Sequence, residues 1–241
     1  MPTILVTGAA NGLGAAFVEA YRTQPESTIL ALDRQQMQTT HSNVQPYTLD
    51  LTSEPSIQAF ATQIQTTPID LLIHSAGVRG LVPSLVDRNP ADVASAETLA
   101  GMDAATLATT FQINTIATFT LLRALLPNLR LASSPKAVIM SSRMGSVGHN
   151  QAPHDSAGGA YAYRASKAAL NTIVRSFAAD VPEVVFVLCH PGRVETKLVR
   201  MREEGAISAG ESVEGMMPLI EGWAKGDSGR FYDRFGEVIQ W

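Results

Sequence analysis

The sequence predicts an α/β fold: a doubly wound, mostly parallel sheet of about seven strands with helices on both faces, forming one domain over 1–241. Three observations predict it. Short β-branched or aliphatic runs alternate with stretches of helical spacing along the whole chain. Most of those runs are apolar at consecutive positions, as strands covered by helices on both faces must be. The first run also passes through a glycine-rich turn directly into an alanine-rich helix.

In chain order the strand candidates are Thr3–Thr7, 28–32, 44–49, 69–74, 136–141 and 184–190. Helical spacing runs over 12–24, 53–66, 103–131, 160–180 and 208–225, the third long enough to cross a domain. Pro- and Gly-bearing stretches near 80–91, 143–159 and 191–210 read as loops. Each follows a strand end, the side on which open α/β sheets bind ligands.

Composition narrows the partners. With 241 residues, 45% of them hydrophobic and 17% charged, the chain can bury a single core and gives no sign of extended disorder. A net charge of -4 with scattered Lys and Arg offers no basic stripe, so nucleic acid is not an expected partner. The opening apolar run is too short for a signal peptide, and no window approaches about 18 consecutive apolar residues. No membrane association is expected, and Cys189, the one cysteine, suits the cytoplasm as a small core residue.

The turn Thr7-Gly8-Ala9-Ala10-Asn11-Gly12-Leu13-Gly14 sits between strand and helix, where a dinucleotide pyrophosphate docks in a Rossmann fold. Gly8, Gly12 and Gly14 can supply positive φ, close approach of backbone to the phosphates and tight helix packing, while Asn11 and Leu13 open the helix whose N–H groups attract the anion. A tight turn with no ligand is the plainer alternative. Asp33, 19 residues after Gly14, argues for the nucleotide, because a carboxylate there accepts from both ribose hydroxyls and repels a 2′-phosphate. NAD(H) is therefore preferred. Arg34 could pair with that phosphate, which keeps NADP(H) possible.

Two further segments suit the same groove. Asp50 and Leu51 close the third strand, where a carboxylate and the next N–H could hold the adenine edge; a polar helix start explains Asp50 equally well. After His74 come Ser75, Ala76 and Gly77, small enough for backbone to pass along a ribose or simply to begin a loop.

The chemistry lies further on. Ser142 follows the fifth strand, and Tyr163 and Lys167 stand four apart at the start of a long helix, which stacks them on one face. An ammonium there favours phenolate, and carbonyl reduction needs an acid to protonate the alkoxide left by hydride arrival. Tyr163 is thus the candidate acid/base, Lys167 its tuner and ribose ligand, and Ser142 the hydrogen-bond partner of the substrate oxygen. A Tyr–Lys pair at this spacing also arises by chance. The neighbouring Tyr161 lacks it, having Ala165 four residues on.

The turn at 7–14, Ser-x-x-Gly at 142–145, Tyr-x-x-x-Lys at 163–167 and Pro191-Gly192 with Thr196 occur in the order found in short-chain dehydrogenase/reductases, and the chain resembles that family over its whole length. The stretches 160–171, 190–196 and 229–241 are similar to the C-factor and sniffer-type carbonyl reductases. The resemblance implies that Asn114 completes a catalytic tetrad by holding a water against the lysine. It also implies that Pro191, Gly192, Val194 and Thr196 lie along the nicotinamide, and that the chain forms a homodimer or homotetramer. One departure is plain: His74-Ser75-Ala76-Gly77 stands where the subgroup usually has Asn-Asn-Ala-Gly.

The segments 79–102 and 197–212 are expected to wall the cleft for a small carbonyl or alcohol substrate, with Arg143, Met144, His149, Arg193 and Met201 as candidate contacts or plain loop residues. The histidines show no metal-ligand spacing, so no metal is expected. Two other readings stay open at this point. One is a nucleotide-binding signalling protein of C-factor type with little turnover. The other is a sugar-nucleotide epimerase, which the glycine spacing and the short stretch after Gly192 disfavour.

Overall fold

The computed structural model describes residues 1–24, 26–151, 157–199 and 204–241. Strand β1 (Thr3–Thr7) leads into helix α1 (Gly12–Arg22), then β2 (Thr28–Asp33), β3 (Val44–Thr48), α2 (Glu54–Gln63) and β4 (Leu71–His74). Next come α3 (Pro83–Arg88), α4 (Ala104–Phe111), α5 (Ala117–Leu131), β5 (Lys136–Met140), α6 (Tyr161–Asp180), β6 (Val185–His190), α7 (Ala209–Gly222) and β7 (Arg230–Asp233). The sheet order is β3-β2-β1-β4-β5-β6-β7 and every pairing is parallel. This is the doubly wound Rossmann arrangement, with a seventh strand added beyond β6.

Both faces of the sheet are dry, which explains the unbroken apolar runs. Alternate residues serve opposite layers: Leu5, Leu30, Leu72, Ile139 and Leu188 pack with residues of α2, α5 and α6 such as Ile57, Leu121 and Leu170. Ile4, Ile29, Ile73, Val138 and Val187 pack instead with Phe17 of α1 and Val213, Met216 and Ile220 of α7. Registers align Thr7 with His74, and His74 with Ile139, so the C-terminal ends of the central strands lie side by side.

Two expectations need correction. The stretch 103–131 is not one α-helix: α4 and α5 are separated by a π-helical segment, Gln112–Ile116, that contains Asn114. Helical periodicity cannot reveal one extra residue in a turn, whereas the widened ladder is explained by the work that Asn114 does there. The segment 79–102 is also more than a loop. It holds α3 and a 3₁₀ turn, Val93–Glu97, around a small cluster of Val82, Val86, Val93 and Ala96. Strand β7 has only four residues, too few for period to mark it.

Candidate active site

Between β1 and α1 the three glycines carry separate tasks. Gly8 and Gly12 take φ of 68° and 56°. A Cβ on Gly14 would lie 2.1 Å from the carbonyl oxygen of Gly8, so the helix packs on the turn as closely as glycine permits. A Cβ on Gly12 would meet the Thr196 methyl at 3.2 Å, which brings the segment after β6 over the same turn. Asn11 is the N-cap of α1 but gives no side-chain cap, and Leu13 packs towards the core of that face. The cradle is one that any side chain would fill, and the N-terminus of an eleven-residue helix opens onto it.

Asp33 ends β2 and points back at this turn. Its Oδ2 accepts the N–H of Ala10 at 3.0 Å and its Oδ1 that of Gln35 at 2.9 Å. Each oxygen keeps a second lone pair for a ribose hydroxyl. Arg34 beside it is exposed. Asp50 is exposed and its Oδ1 accepts from both the backbone and the hydroxyl of Thr52, at 2.9 and 2.7 Å; these bonds hold its carboxyl below the usual range. That turn leads the chain into α2, and Leu51 packs against the neighbouring core.

At the end of β4 His74 has a defined role. The imidazole is 2% exposed, with Nδ1 at 2.9 Å from the Thr7 hydroxyl and Nε2 at 2.8 Å from that of Thr118. Thr118 spends its one hydroxyl hydrogen on the carbonyl of Asn114, so Nε2 must donate and Nδ1 must accept. Thr7 then accepts the N–H of Ala76 at 3.2 Å. Burial, reinforced by the charge of Lys167, pushes the ring down to about 3 and keeps it neutral. The chain of bonds fixes the segment holding Ser75, Ala76 and Gly77, and it links β1 to the π-helical turn.

Asn114 is 1% exposed and clamps that segment from the other side. Its Oδ1 accepts the N–H of Val78 at 2.8 Å, while Nδ2 donates to the carbonyl of Val78 at 2.9 Å and to Ser166 Oγ at 3.0 Å. Both amide hydrogens are thereby engaged with protein, while Oδ1 keeps a second lone pair.

Helix α6 presents Tyr163, Lys167 and Asn171 at successive four-residue steps. The Lys167 ammonium lies 5.7 Å from the centroid of the Tyr163 ring and donates to the carbonyl of Met140, the last residue of β5, at 2.8 Å. Burial pushes it down to about 8. Asn171 fastens the next turn: its Oδ1 accepts from Ser141 Oγ at 2.5 Å and its Nδ2 donates to the Gly145 carbonyl at 3.3 Å. Ser142, 6% exposed, is held between these anchors, its Oγ accepting the N–H of Met144. A Cβ on Gly145 would strike Lys167 Cβ at 2.8 Å, so only glycine lets this turn lie against α6. A Cβ on Gly77 would lie 3.7 Å from Lys167 Nζ, which joins the nucleotide-side segment to the same centre.

After β6, the Pro191 carbonyl accepts from Ser212 Oγ at 2.6 Å, Gly192 takes φ of 90°, and Val194 pairs with Ile207. Glu195 and Arg193 bond the backbone of Ile207, closing the base of the excursion that follows. Of the cleft candidates, Arg143 reaches Asp233 at 3.1 Å, His149 Nδ1 lies 2.9 Å from Ser146 Oγ, and Met201 falls outside the described residues. Sequence reasoning missed Arg79 and Glu97, which form an ion pair beside Tyr163, and it missed Asn171. The 163–167–171 spacing could have marked Asn171; nothing local marks the other two.

Comparison with known proteins agrees with this geometry. A family model described as short chain dehydrogenase matches residues 2–206. The chain is 40% identical over 187 residues to C-signal of Myxococcus xanthus, covering 77% of this chain and 100% of that protein. Over 100% of this chain and 99% of the other, it is similar to an NADPH-bound carbonyl reductase from chicken fatty liver, with 27% identity and a TM-score of 0.85. The carbonyl reductase Sniffer of D. melanogaster shares the fold at 24% identity and a TM-score of 0.84, each chain fully covered at 100%. Fold and likeness together define an oxidoreductase. More particularly, the chain belongs to the short chain dehydrogenase family.

Proposed function

We propose that this chain is a nicotinamide-dependent carbonyl reductase or alcohol dehydrogenase in which Tyr163 is the general acid/base. The observation that carries the reading is the placement of the Lys167 ammonium 5.7 Å from the Tyr163 ring centroid, both side chains buried, beside a Ser142 turn anchored to the same helix. A bound nicotinamide would supply or take up the hydride. Gly8, Asn11, Gly12, Leu13 and Gly14 would hold its pyrophosphate, with Asp33, Asp50, Leu51, Ser75, Ala76 and Gly77 along the adenosine, and Pro191, Gly192, Val194 and Thr196 at the other end. Ser142 Oγ would orient the substrate oxygen, and the Tyr163 hydroxyl would pass a proton to it or take one from it. Lys167 favours the ionised phenol, and Asn114 keeps the segment around Gly77 in register.

The nucleotide is proposed to be NAD(H), on the strength of the Asp33 carboxylate alone. The chicken carbonyl reductase is an NADPH-bound protein, and Arg34 gives the phosphorylated nucleotide a partner, so NADP(H) is the competing choice. The segments 79–102 and 197–212, of which 200–203 lie outside the described residues, would wall the substrate cleft, and self-association would use the π-helical turn, α5 and α6, which expose Ile116, Phe119 and Tyr161. Among the described residues no helix is long and apolar enough to cross a membrane, and Cys189 is buried and unpaired, which suits a reducing cytoplasm.

The test is a spectrophotometric screen of NADH and NADPH against aldehydes, ketones and quinones, with Tyr163→Phe alongside and calorimetry of both nucleotides on wild type and Asp33→Ala. Turnover lost in Tyr163→Phe with binding retained supports the reading. The likeness to C-signal favours a second reading, a nucleotide-binding signalling protein. Binding without turnover on any carbonyl, together with a Tyr163→Phe protein that keeps its cellular effect, would establish that one instead.

A further inference from the structure

Segment 79–102 reaches the candidate active site through one ion pair. The Arg79 guanidinium makes two bonds to the Glu97 carboxylate, Nε to Oε2 at 2.6 Å and Nη2 to Oε1 at 2.8 Å. The two side chains are only 10% and 17% exposed, so solvent screens the pair little and the fork is held in one orientation. The same guanidinium stands 5.0 Å from the centroid of the Tyr163 ring, nearer than the 5.7 Å of Lys167 Nζ. Its Nη1 also lies 3.2 Å from the Met144 sulfur, two residues beyond Ser142.

Glu97 contributes a second hold through its backbone. Its carbonyl accepts the N–H of Ala160 at 2.8 Å, and Ala160 is the N-cap of α6. With φ of 46°, Ala160 is the one non-glycine residue in the left-handed region among the described residues, directly after Gly158 and Gly159, which take it too. Such a conformation persists in alanine only when its surroundings hold it.

We propose that the Arg79–Glu97 pair is a positioning unit for Tyr163, pressing a guanidinium against the phenol ring while the Glu97 carbonyl fixes the residue from which the helix starts. This rests on the reading of Tyr163 as the proton-transfer group. A phenolate ring attracts a stacked cation more strongly than a phenol ring does, so Arg79 favours ionisation and the neighbouring Glu97 opposes it. Lys167 faces the same ring from one turn along, Arg164, which bonds the carbonyls of Gly158 and Met144, lies within electrostatic reach of Arg79 and Glu97, and His74, near Lys167, stays neutral.

The test is an ultraviolet phenolate titration of the full chain, with the Tyr163→Phe protein subtracted to isolate the one tyrosine, applied to wild type, Arg79→Met and Glu97→Gln. Arg79→Met is expected to raise the Tyr163 midpoint by about half to one unit, and Glu97→Gln to lower it, since an uncharged amide no longer offsets the guanidinium. A purely structural pair would move neither midpoint, or both the same way, and either result overturns the proposal. Should Arg79→Met fail to fold, Glu97→Gln decides alone: a fall supports the proposal, and a rise or a change under about 0.2 units overturns it. The readout needs no turnover. A chain that shows these opposed shifts but reduces no carbonyl would refute the catalytic reading and keep the positioning, while a reductase with unmoved midpoints would do the reverse.

Discussion

The ammonium of Lys167 donates to the main-chain carbonyl of Met140 across 2.8 Å, which ties the helix bearing Tyr163 to the end of the central strand β5. This tie is not a stabilising feature in its own right. Moving the group from near 10.5 to about 8 by burial corresponds to about 3 kcal/mol of unfavourable charge burial at neutral pH. Replacing it with Met removes that cost and forfeits a hydrogen bond worth about 1–3 kcal/mol. Lys167→Met is therefore expected to be as stable as wild type, or more stable by up to about 2 kcal/mol in urea unfolding, while carbonyl reduction falls by at least about a hundredfold. A variant that is both inactive and clearly less stable would mean that the ammonium is chiefly structural.

Asn171 should behave in the opposite way. It is 2% exposed and holds Ser141 Oγ and the Gly145 carbonyl, the two ends of the turn carrying Ser142. Asn171→Ala leaves both groups without that partner, so a loss of about 1–3 kcal/mol is expected, with kcat falling further than nucleotide affinity. Equal stability by chemical denaturation would show that the turn is held by its own 3₁₀ bonds.

The glycine turn allows a graded comparison. In Gly14→Ala the new Cβ would sit 2.1 Å from the rigid Gly8 carbonyl, and only a backbone shift can relieve that. In Gly12→Ala the nearest atom is the movable Thr196 methyl at 3.2 Å, leaving the φ of 56° as the main strain. Gly14→Ala is expected to cost about 3 kcal/mol or to abolish folding, and Gly12→Ala about 1–2 kcal/mol with loss of nucleotide binding. Thermal unfolding of the two proteins, with calorimetry of the second, checks the order. Gly12→Ala proving the less stable of the two would contradict it.

Much of this was legible in the sequence, for identifiable reasons. Strands buried on both faces declare themselves as apolar runs, and Gly8, Gly12 and Gly14 occur at the spacing the strand-to-helix turn demands. Tyr163 and Lys167 were visible because four residues is a helical turn. What stayed hidden depends on distance in the chain. Arg79 and Glu97 are eighteen residues apart and meet over a ring from a third segment, and no period records such a meeting. Asn114 was found only through its resemblance to a motif; the π-helical turn that aims it at Val78 leaves the hydrophobic pattern of 103–131 unchanged. His74 read as a departure from the usual asparagine. Its meaning came only with Thr7 and Thr118, one on β1 and the other on α5.

That histidine sets the pH response of stability. His74 stays uncharged in the folded chain down to about 3, and His190, half-buried with its Nδ1 shielded from solvent, down to about 4, whereas both take up a proton near 6.5 once unfolded. Between those values the unfolded state binds more protons, so stability falls as pH falls. Each residue contributes a slope of up to about 1.4 kcal/mol per pH unit, and above about pH 5 the carboxylates are still ionised and add little. Urea unfolding at pH 7, 6 and 5 (points chosen to straddle about 6.5) should show a loss that steepens towards the acid end. His74→Asn removes one of the two protons and should roughly halve that slope, at a cost of about 1–3 kcal/mol at pH 7 because a shorter side chain cannot reach both Thr7 and Thr118. If the variant keeps the full wild-type slope, the imidazole between those two hydroxyls is already protonated in the folded chain, and Nδ1 would have to donate to Thr7 rather than accept from it.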